Sequence, residues 1–540
     1  MLRKIFIKQQ FQFKLKISTL SDYRVSNKSL TSLASPKMSV LAAMMELVLN
    51  NLTMALVFLV VLILLLRYLQ PSPYSLPPMP AWNIPYLGHI RFLMDAKTMG
   101  EKMYLKASKE LKSSYIAVKF GKQYVVMPHK FEDLKEAFTS DQFIYHGENI
   151  IGGITINSGL FHDGQRWKAH RRFALHALRD LGLGKSRIEG KIQLESQKLV
   201  KLIASLNGEP TETIIILNTA VSNIICTMVF GHRFEYEDTL FKRLLQILNE
   251  NTNKHMRPVF LSKFLPFLKY LPGDLTHAKR LKQNVDEIKT QILEPEIKRH
   301  IEKYDPDNID DFIDAFIQEI KKLKDTDEEI YFNDEELMWN IEDLFFAGTD
   351  TTSTTLRWLL LCMIRYPDVQ DKVRAEILDA IGPDRPPTMQ DKKLLSYTQA
   401  VICEVQRMHT LTPLGSIHYS SDQPTKWKGY TLPPNTALSP NVYAIHHDED
   451  HWEQPYQFNP NRFIGPDGKF QKDDHLVTFS VGKRSCLGES LARMETFLFF
   501  VAIMQNFHVK KPKNDPIPTL EGKLGILIGP YPHRVCFEKI

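Results

Sequence analysis

The sequence has little cysteine, and none of it is arranged in close pairs. Five cysteines occur in 540 residues, and no two of them have the Cys-x-x-Cys spacing. An odd number of widely spaced cysteines argues against a zinc ribbon, an iron–sulfur cluster and a disulfide framework. We therefore predict a reduced, cytosol-facing fold, in which a chemically active cysteine would act alone or on a cofactor. The five are Cys226, Cys362, Cys403, Cys486 and Cys536.

The body of the chain also lacks an excess of positive charge. The formal net charge is +6, but residues 1–37 carry eight lysines and arginines against one aspartate. That segment accounts for more than the whole net charge. The charge therefore gives no reason to expect nucleic acid as a partner.

One long apolar run is present, at residues 47–66. The run, LVLNNLTMALVFLVVLILLL, holds no charged residue. It is long enough for a helix to cross a bilayer at about 1.5 Å per residue. A buried globular helix is the alternative, but Arg67 ends the run and a proline-rich tether follows at 67–88. We therefore predict a single transmembrane anchor.

Residues 1–46 form a basic extension and flank before this anchor. Their first part is rich in serine and almost free of acidic side chains, as in a mitochondrial transit peptide. Placing these cations in the lumen would oppose the positive-inside tendency. We expect the functional chain to begin at or near Met38.

Residues 89–540 are expected to form one compact, mainly α domain with a minor β-sheet region, because helical periodicity dominates and no linker interrupts them. Asn333 and Glu336 have the spacing of a capping box at the start of the longest helix, and Pro367 follows its end. Helices are predicted over residues 160–180, 335–366, 368–382, 396–409 and 487–505, and strands within 115–127 and 425–438.

The segment FSVGKRSCLGES, residues 479–490, gives one cysteine unusual neighbours. A free cysteine is most often a small buried hydrophobe. Cys486, however, precedes a predicted helix and follows Arg484, and both features lower the pKa of a thiol. Gly482 and Gly488 would let the backbone turn tightly and approach a flat ligand closely. A thiolate held in this way suits a soft or borderline metal, and as the sole protein ligand it suits haem iron.

The spacing Phe479-x-x-Gly482-x-Arg484-x-Cys486-x-Gly488 resembles the haem-thiolate signature of the cytochrome P-450 superfamily. The resemblance implies haem b (iron protoporphyrin IX) as the cofactor and Cys486 as the axial ligand of its iron. Phe479 would shield the sulfur. The implied architecture is the cytochrome P-450 fold, preceded here by one transmembrane helix.

Glu404 and Arg407 match the Glu-x-x-Arg motif of the same superfamily. Their i, i+3 spacing places both side chains on one face of a helix. By resemblance they form a buried charge cluster with Arg462 that supports the cysteine loop. This role is structural rather than chemical.

The stretch AGTDTT, residues 347–352, interrupts the longest predicted helix with small and hydroxylated side chains. A buried helix with a glycine packing notch is one interpretation. By resemblance, Ala347 and Gly348 would instead leave room for dioxygen beside the iron. Asp350 and Thr351 would supply a carboxylate and a hydroxyl that relay protons.

Trp167 and Arg171 stand one helical turn apart, as in the Trp-x-x-x-Arg motif of the superfamily. An indole N–H and a guanidinium on one face can bind a haem propionate. The resemblance adds His418 and Arg484 as further propionate ligands. His146 stands where related enzymes commonly have a propionate-binding arginine, and the sequence assigns it no role.

Several stretches look most like animal microsomal family-two enzymes, and so does the order of the motifs. This likeness implies the endoplasmic reticulum membrane, with the catalytic domain in the cytosol. A mitochondrial location is the alternative, and the run at 47–66 favours the reticulum. The stretches are residues 178–185, 310–316, 348–358 and 479–500.

The sequence lacks a flavin or nicotinamide fingerprint, since the glycines within 150–159 have neither the spacing nor a preceding strand. Electrons must therefore come from another protein. The resemblance implies NADPH as their source, NADPH–cytochrome P-450 reductase as the carrier and cytochrome b5 as a further donor. Lys168, Arg172 and Arg179 form a basic stripe expected to dock an acidic reductase surface, with a solvated face as the alternative.

Residues 258–273 are rich in phenylalanine and leucine, and predict either core packing or an apolar lip that admits lipophilic substrates from a membrane. By resemblance, residues 143–161 and 411–417 line the substrate pocket.

The sequence thus predicts a monooxygenase that inserts one oxygen atom of O2 into a steroid, a fatty acid or a xenobiotic. A mitochondrial, ferredoxin-dependent enzyme of the same superfamily is one alternative. A non-catalytic haem-binding sensor is another, although the Asp350–Thr351 pair argues against it. A cysteine hydrolase is disfavoured because no motif offers Cys486 a base.

Overall fold

The computed structural model describes residues 50–51, 53–60, 62–63, 72–93, 100–146, 150–151, 154–155, 159–182, 186–255, 258–259, 262, 268, 270–525 and 527–540. The chain divides into two compact units, Met1–Pro73 and Tyr74–Ile540. In the first unit the described residues between 50 and 63 are helical and exposed. No helix in the described part of the chain has both the length and the apolar character needed to span a bilayer. The predicted extension, and parts of the predicted anchor and tether, lie outside the described residues.

The second unit is mainly helical, which confirms the predicted fold class. Its helices are α1 (Glu101–Leu111), α2 (Phe131–Thr139), α3 (Gly164–Asp180), α4 (Ser186–Ser205), α5 (Thr213–Val229), α6 (Thr239–Glu250), α7 (Ala278–Ile288), α8 (Glu294–Lys303), α9 (Phe312–Leu323), α10 (Asp334–Arg365), α11 (Pro367–Ala380), α12 (Ser396–Met408), α13 (Val442–His446) and α14 (Glu489–Asn506).

The sheet region is small and consists of short strands. The largest sheet has the order β1-β2-β9-β6, in which β2 and β9 run parallel and the other pairs antiparallel. The strands are β1 (Tyr115–Phe120), β2 (Gln123–Pro128), β3 (Ile150–Ile151), β4 (Ile154–Thr155), β5 (Thr211–Glu212), β6 (His418–Tyr419), β7 (Thr425–Trp427), β8 (Tyr430–Leu432), β9 (Ala437–Leu438), β10 (Phe507–Lys510), β11 (Gly522–Lys523), β12 (Gly529–Pro530) and β13 (Arg534–Lys539).

The longest helix, α10, begins and ends where its sequence predicts. Asn333 caps it, because its side chain accepts a hydrogen bond from the Glu336 backbone N–H at 3.0 Å. Three acidic residues in the first turn complement the positive end of the helix dipole. The helix ends before Pro367, which opens α11. The predicted strand run at 115–127 is a hairpin of two strands that turns at Gly121, whose φ of 57° favours glycine.

The main core lies among the helices, where α10 packs along α5 and also against α14. Both α10 and α14 are buried over most of their length. Aromatic side chains of α14, including Phe497, Phe499 and Phe500, are fully buried. Because protein covers these helices on most sides, an exposed side chain in the middle of α10, away from its ends, indicates a cavity.

Candidate active site

Cys486 lies in a tight loop that leads into α14. The Cys486 backbone N–H donates to the Phe479 carbonyl at 2.9 Å, and that of Ser485 donates to the Gly482 carbonyl at 3.1 Å. Gly482 has a φ of 83°, and an added Cβ would lie 2.0 Å from the carbonyl oxygen of Phe138. Only glycine fits this position, so the loop can press directly against the end of α2.

Gly488 shows a different environment from Gly482. Its φ is −90°, which any residue can adopt, and an added Cβ would meet no described atom within 4 Å. Gly488 does lie in a turn, as expected, but its backbone conformation there does not require glycine. The space in front of the Gly488 backbone is open, so a ligand could approach it closely. That a ligand does so remains a prediction.

The Cys486 side chain is exposed, yet protein atoms surround it closely enough to desolvate the thiol. Burial raises the pKa of its thiol, while the Gly488 backbone N–H and the Arg171 guanidinium act in the opposite direction. The sequence-based expectation of a lowered pKa is thus wrong for the metal-free thiol, because desolvation outweighs the nearby donors. An accessible sulfur in such surroundings indicates an internal cleft. Binding to a metal ion would remove the thiol proton outright.

Arg484 is buried beside the loop, with its guanidinium 4.0 Å from the centroid of the Trp167 ring. It donates to the Asp163 carboxylate at 2.7 Å and to the carbonyls of Ile144 and His162 at 2.6 and 2.7 Å. Burial lowers the pKa of Arg484 to about 10, against the opposing effect of Asp163. The guanidinium is thus positioned by its indole neighbour and by several acceptors.

Arg171 comes from the same helix as Trp167 and reaches the cysteine loop. Its Nη2 atom donates to the Ser485 carbonyl at 2.7 Å, and burial lowers the pKa of its guanidinium. The structure therefore brings Trp167, Arg171 and Arg484 together on one side of Cys486. Two partly desolvated guanidinium groups beside one carboxylate leave an excess of positive charge suited to anionic groups.

His418, on β6, has one satisfied and one unsatisfied ring nitrogen. Its Nδ1 donates to the Phe143 carbonyl at 2.9 Å, and its ring stacks on Phe138 with centroids 3.7 Å apart. Its Nε2 is buried and has no hydrogen-bond partner among the described residues. Burial lowers the pKa of His418 to about 4. An orphaned buried nitrogen of this kind indicates a missing polar partner.

His146, to which the sequence analysis assigned no role, also belongs to this group. Its Nδ1 lies 3.3 Å from Arg484 Nη1, and its ring centroid lies 5.5 Å from that of His418. Burial and then the Arg484 charge hold the pKa of His146 well below its usual range. His146 is therefore a neutral imidazole. A guanidinium at the same position would be repelled by the charge of Arg484.

The motif in α10 divides between the cavity and the packing of helices. Ala347 is exposed within a mostly buried helix, and the Thr351 hydroxyl donates to its carbonyl at 2.8 Å. A Cβ added to Gly348 would lie 2.6 Å from Ile225 Cδ1 of α5. Gly348 is thus the packing notch of the alternative interpretation, whereas Ala347 is exposed and the half-buried Thr351 lies beside it.

The Asp350 carboxylate is buried between three segments of the chain. Its oxygens accept hydrogen bonds from Asn218 at 3.0 Å and from Thr252 at 2.6 Å. Burial raises the pKa of Asp350, while Thr252 and Arg357 act to lower it. Among the described residues, the bonds of this carboxylate run to Asn218 and Thr252 rather than to the neighbouring Thr351.

Glu404, Arg407 and Arg462 form a compact charge cluster. Glu404 and Arg407 are completely buried and joined by two hydrogen bonds of 2.7 and 2.9 Å. Arg462 Nε lies 3.4 Å from the same carboxylate. Arg407 also donates to the carbonyls of His446 and Pro455 at 2.7 and 2.8 Å. The cluster connects α12 with the segment that precedes the cysteine loop.

Lys168, Arg172 and Arg179 all lie exposed on α3. Arg172 pairs with Glu328 at 3.0 Å, and both side chains are well exposed. The stripe is therefore on the outer surface of the helix that carries Trp167. Of the predicted lip at 258–273, residues 258–259, 262, 268 and 270–273 are described, and the rest lies outside the described residues.

Several residues around this site escaped sequence reasoning. Asp163, which binds Arg484, and the pair that holds Asp350, Asn218 and Thr252, belong to no motif and are far from their partners in sequence. Glu495 is also buried, and its pKa is raised well above its usual range by burial, with Thr352 acting oppositely. A signal for Glu495 existed, because this acid stands two residues before the apolar run 497–504 of α14.

A mainly helical domain with an accessible cysteine sulfur beside buried guanidinium and imidazole groups has the features that a haem-thiolate protein requires. A family model described as "Cytochrome P450" matches residues 77–537. The chain belongs to the cytochrome P450 family.

Curated relatives cover most of the chain. It is 38% identical over 494 residues to cytochrome P450 2J5 of Mus musculus, and the aligned region covers 90% of this chain and 96% of that protein. It is 37% identical over 480 residues to cytochrome P450 2J2 of Homo sapiens (86% and 91%) and over 473 residues to cytochrome P450 2B4 of Oryctolagus cuniculus (86% and 94%). The predicted likeness to family-two enzymes is confirmed.

The chain is accordingly a monooxygenase with haem b as its cofactor. The residues present fit this group: Cys486 offers an accessible sulfur, His418 an orphaned nitrogen, and Gly488 open space along the loop. The sensor and cysteine-hydrolase alternatives are therefore set aside.

Proposed function

We propose that this monooxygenase inserts one oxygen atom of O2 into a C–H bond of a lipophilic steroid, fatty acid or xenobiotic. Electrons come from NADPH through NADPH–cytochrome P-450 reductase, with cytochrome b5 as a further donor. The observation that carries the proposal is the accessible Cys486 sulfur in a chain so similar to family-two enzymes. Bound haem supplies oxygen activation, which a thiolate ligand promotes.

Cys486 would hold the haem iron, and Phe479, Gly482 and Gly488 would shape its loop. Phe479 is itself covered by Arg493, whose guanidinium lies 4.6 Å from the ring centroid. The backbone N–H of Cys486 is already committed to the Phe479 carbonyl. These contacts support a preformed loop that keeps the sulfur in one place.

Trp167, Arg171, Arg484 and His418 would bind the haem propionates. The excess of positive charge near Arg484 supports this assignment, and so does the orphaned His418 Nε2. Because a carbonyl only accepts, His418 Nδ1 already carries its proton to bond with Phe143. A propionate at Nε2 would therefore require a second proton, and binding would raise the pKa of His418.

Asp350 and Thr351 would handle protons at the cavity wall. The raised pKa of the buried Asp350 lets its carboxyl group hold a proton closer to neutral pH than an exposed aspartate can. The Thr351 hydroxyl lies beside exposed Ala347 and can accept and pass on a proton there. Gly348 would set the spacing of α10 against α5.

The catalytic domain would comprise residues 89–540, reached from the anchor at 47–66 through the tether at 67–88. Exposed apolar side chains support contact of the second unit with a membrane: Trp82, Ile84, Tyr86, Leu87, Tyr270 and Leu271 are each more than a third exposed. The endoplasmic reticulum is the membrane we propose, with the domain in the cytosol. Cell fractionation separates this location from the mitochondrion.

The basic stripe would dock the reductase. Lys168, Arg172 and Arg179 are exposed on the same helix whose Trp167 and Arg171 face the cysteine loop, so the stripe lies close to the electron acceptor. Acidic partner surfaces are steered to such a stripe by charge.

The proposal is tested by reconstituting the purified protein with reductase and NADPH and supplying a library of lipophiles. Compounds that shift the haem absorption are then assayed for an oxygenated product. Product that forms with ferredoxin and ferredoxin reductase, but not with the microsomal reductase, would instead support the mitochondrial alternative.

A further inference from the structure

Two histidines and an aspartate converge on the surface of the segment that leads into the cysteine loop. His451 Nε2 lies 2.8 Å from Asp473 Oδ2, and His475 Nδ1 lies 3.4 Å from Asp473 Oδ1. The two imidazole rings stack with centroids 3.5 Å apart and an interplanar angle of 17°. One ligand atom from each residue lies within 4.8 Å of the others.

This donor set matches the preferences of a borderline-soft metal ion. Zinc takes imidazole nitrogens and carboxylate oxygens at about 2.0–2.2 Å, usually four ligands in a tetrahedron. The three side chains are at least one-fifth exposed, so small rotations suffice to bring their ligand atoms around one ion. Glu132 Oε1 lies 3.4 Å from the other ring nitrogen, Nε2 of His475, so a solvent molecule would complete the coordination.

The surrounding charges favour a cation. The turn 447–451 reads HDEDH, and Asp474 adds a further carboxylate next to Asp473. Lys130 neutralises part of this charge through Asp448 at 2.7 Å and Asp450 at 2.5 Å. Lys109 also pairs with Glu449 at 3.1 Å, and Lys472 pairs with Asp474 at 3.7 Å. The five carboxylates of residues 448–450 and 473–474 still outnumber these three lysines, which raises the local concentration of divalent ions.

A second cluster of histidine and aspartate side chains differs from the first in its burial. His300, Asp311 and Asp314 also bring ligand atoms together, but His300 and Asp311 are buried and already bonded at 2.8 Å. The other Asp311 oxygen accepts the Asp314 backbone N–H as a helix cap. The exposed cluster has similar bonds, since the second Asp473 oxygen accepts the His475 backbone N–H at 2.8 Å. Its side chains are nevertheless open to an ion from solvent, whereas His300 and Asp311 are buried.

We propose that His451, Asp473 and His475 form a binding site for a divalent transition-metal ion, zinc above all, separate from the haem. The ion would join the turn after α13 to the segment that enters the cysteine loop. That segment is already tied to α13, because the Val477 N–H donates to His446 Nε2 at 3.1 Å. Metal binding would therefore stabilise the approach to the loop, since a ligand specific for the folded state stabilises it.

Equilibrium dialysis of the purified, haem-loaded full chain against zinc tests the site directly, with excess Mg²⁺ present to saturate nonspecific carboxylates. We expect the wild-type chain to bind one zinc ion that is lost in His451→Ala, in His475→Ala and in Asp473→Asn. The matched control is His508→Ala, since His508 pairs with a single carboxylate, Asp371, at 3.3 Å. It should bind zinc as the wild type does.

The carbon monoxide spectrum of each variant shows that the haem site is intact, and zinc should raise the melting temperature of the wild type and the control only. Diffraction at the zinc absorption edge gives an answer that needs no variant, because the anomalous peak should fall between His451 and His475. Equal zinc binding by all variants, or a peak elsewhere, overturns the proposal.

Discussion

Replacing Glu404 with glutamine should be among the most destabilising conservative changes in this chain. Both Glu404 and Arg407 are completely buried, and the carboxylate accepts two bonds from Arg407 and one from the Asn459 backbone N–H at 2.8 Å. Glutamine keeps the shape and one acceptor but leaves the Arg407 charge without a counter-ion. Breaking a buried pair in this way costs about 3–5 kcal/mol, a large part of the ~5–15 kcal/mol that holds a typical protein folded.

A double variant separates the lost charge pairing from lost packing. Glu404→Gln combined with Arg407→Met removes both buried charges, and exchanging a whole buried pair for apolar groups is often near neutral. Arg407 bonds to the His446 and Pro455 carbonyls are lost as well, at about 1 kcal/mol each. The double variant should therefore lose less stability than Glu404→Gln alone.

Denaturant unfolding, followed by haem absorption and circular dichroism, measures these losses. The matched control is Asp515→Asn, which breaks an ion pair with Arg534 on the surface and should cost less than about 1 kcal/mol. If Glu404→Gln lowers the free energy of unfolding no more than Asp515→Asn does, the reasoning from burial is refuted. A double variant that is less stable than the single one would refute it as well.

Three further predictions concern the site. Gly482→Ala should fail to incorporate haem, whereas the control Gly468→Ala should incorporate it normally. Both glycines have a positive φ, but only at Gly482 would the added Cβ meet a backbone atom, at 2.0 Å. Equal haem content in the two variants would count against the proposed packing of the loop. Asp350→Asn should lower product formation by about 10²-fold and keep the carbon monoxide spectrum, and an unchanged turnover rate would reject the proton role. Lys168→Glu with Arg172→Glu should slow reduction by the reductase and flatten its salt dependence, and unchanged kinetics would exclude docking there.

Much of the fold followed from local signals in the sequence. The cap at Asn333 and the proline after α10 placed both ends of that helix, because capping and ring constraints act within a few residues. The helix predicted at 160–180 begins instead at Gly164, since the preceding residues turn. Turns of that kind are decided by packing against distant segments.

The site was predictable where the spacing of residues in the sequence determines their geometry. It was less predictable where a property depends on how deeply a residue is buried. The i, i+3 spacing of Glu404 and Arg407 sufficed to place them together. The thiol pKa of Cys486 and the packing role of Gly348 depended on burial and on Ile225, more than a hundred residues away in sequence. No local pattern carries that information.

The most direct test of the account is the absorption spectrum of the purified, reduced protein under carbon monoxide. A thiolate from Cys486 predicts the far red-shifted Soret band of haem-thiolate proteins, and Cys486→His should move this band to the position typical of imidazole-ligated haem. A wild-type spectrum without the shifted band, or a Cys486→His spectrum that retains it, would contradict the assignment of Cys486 as the iron ligand.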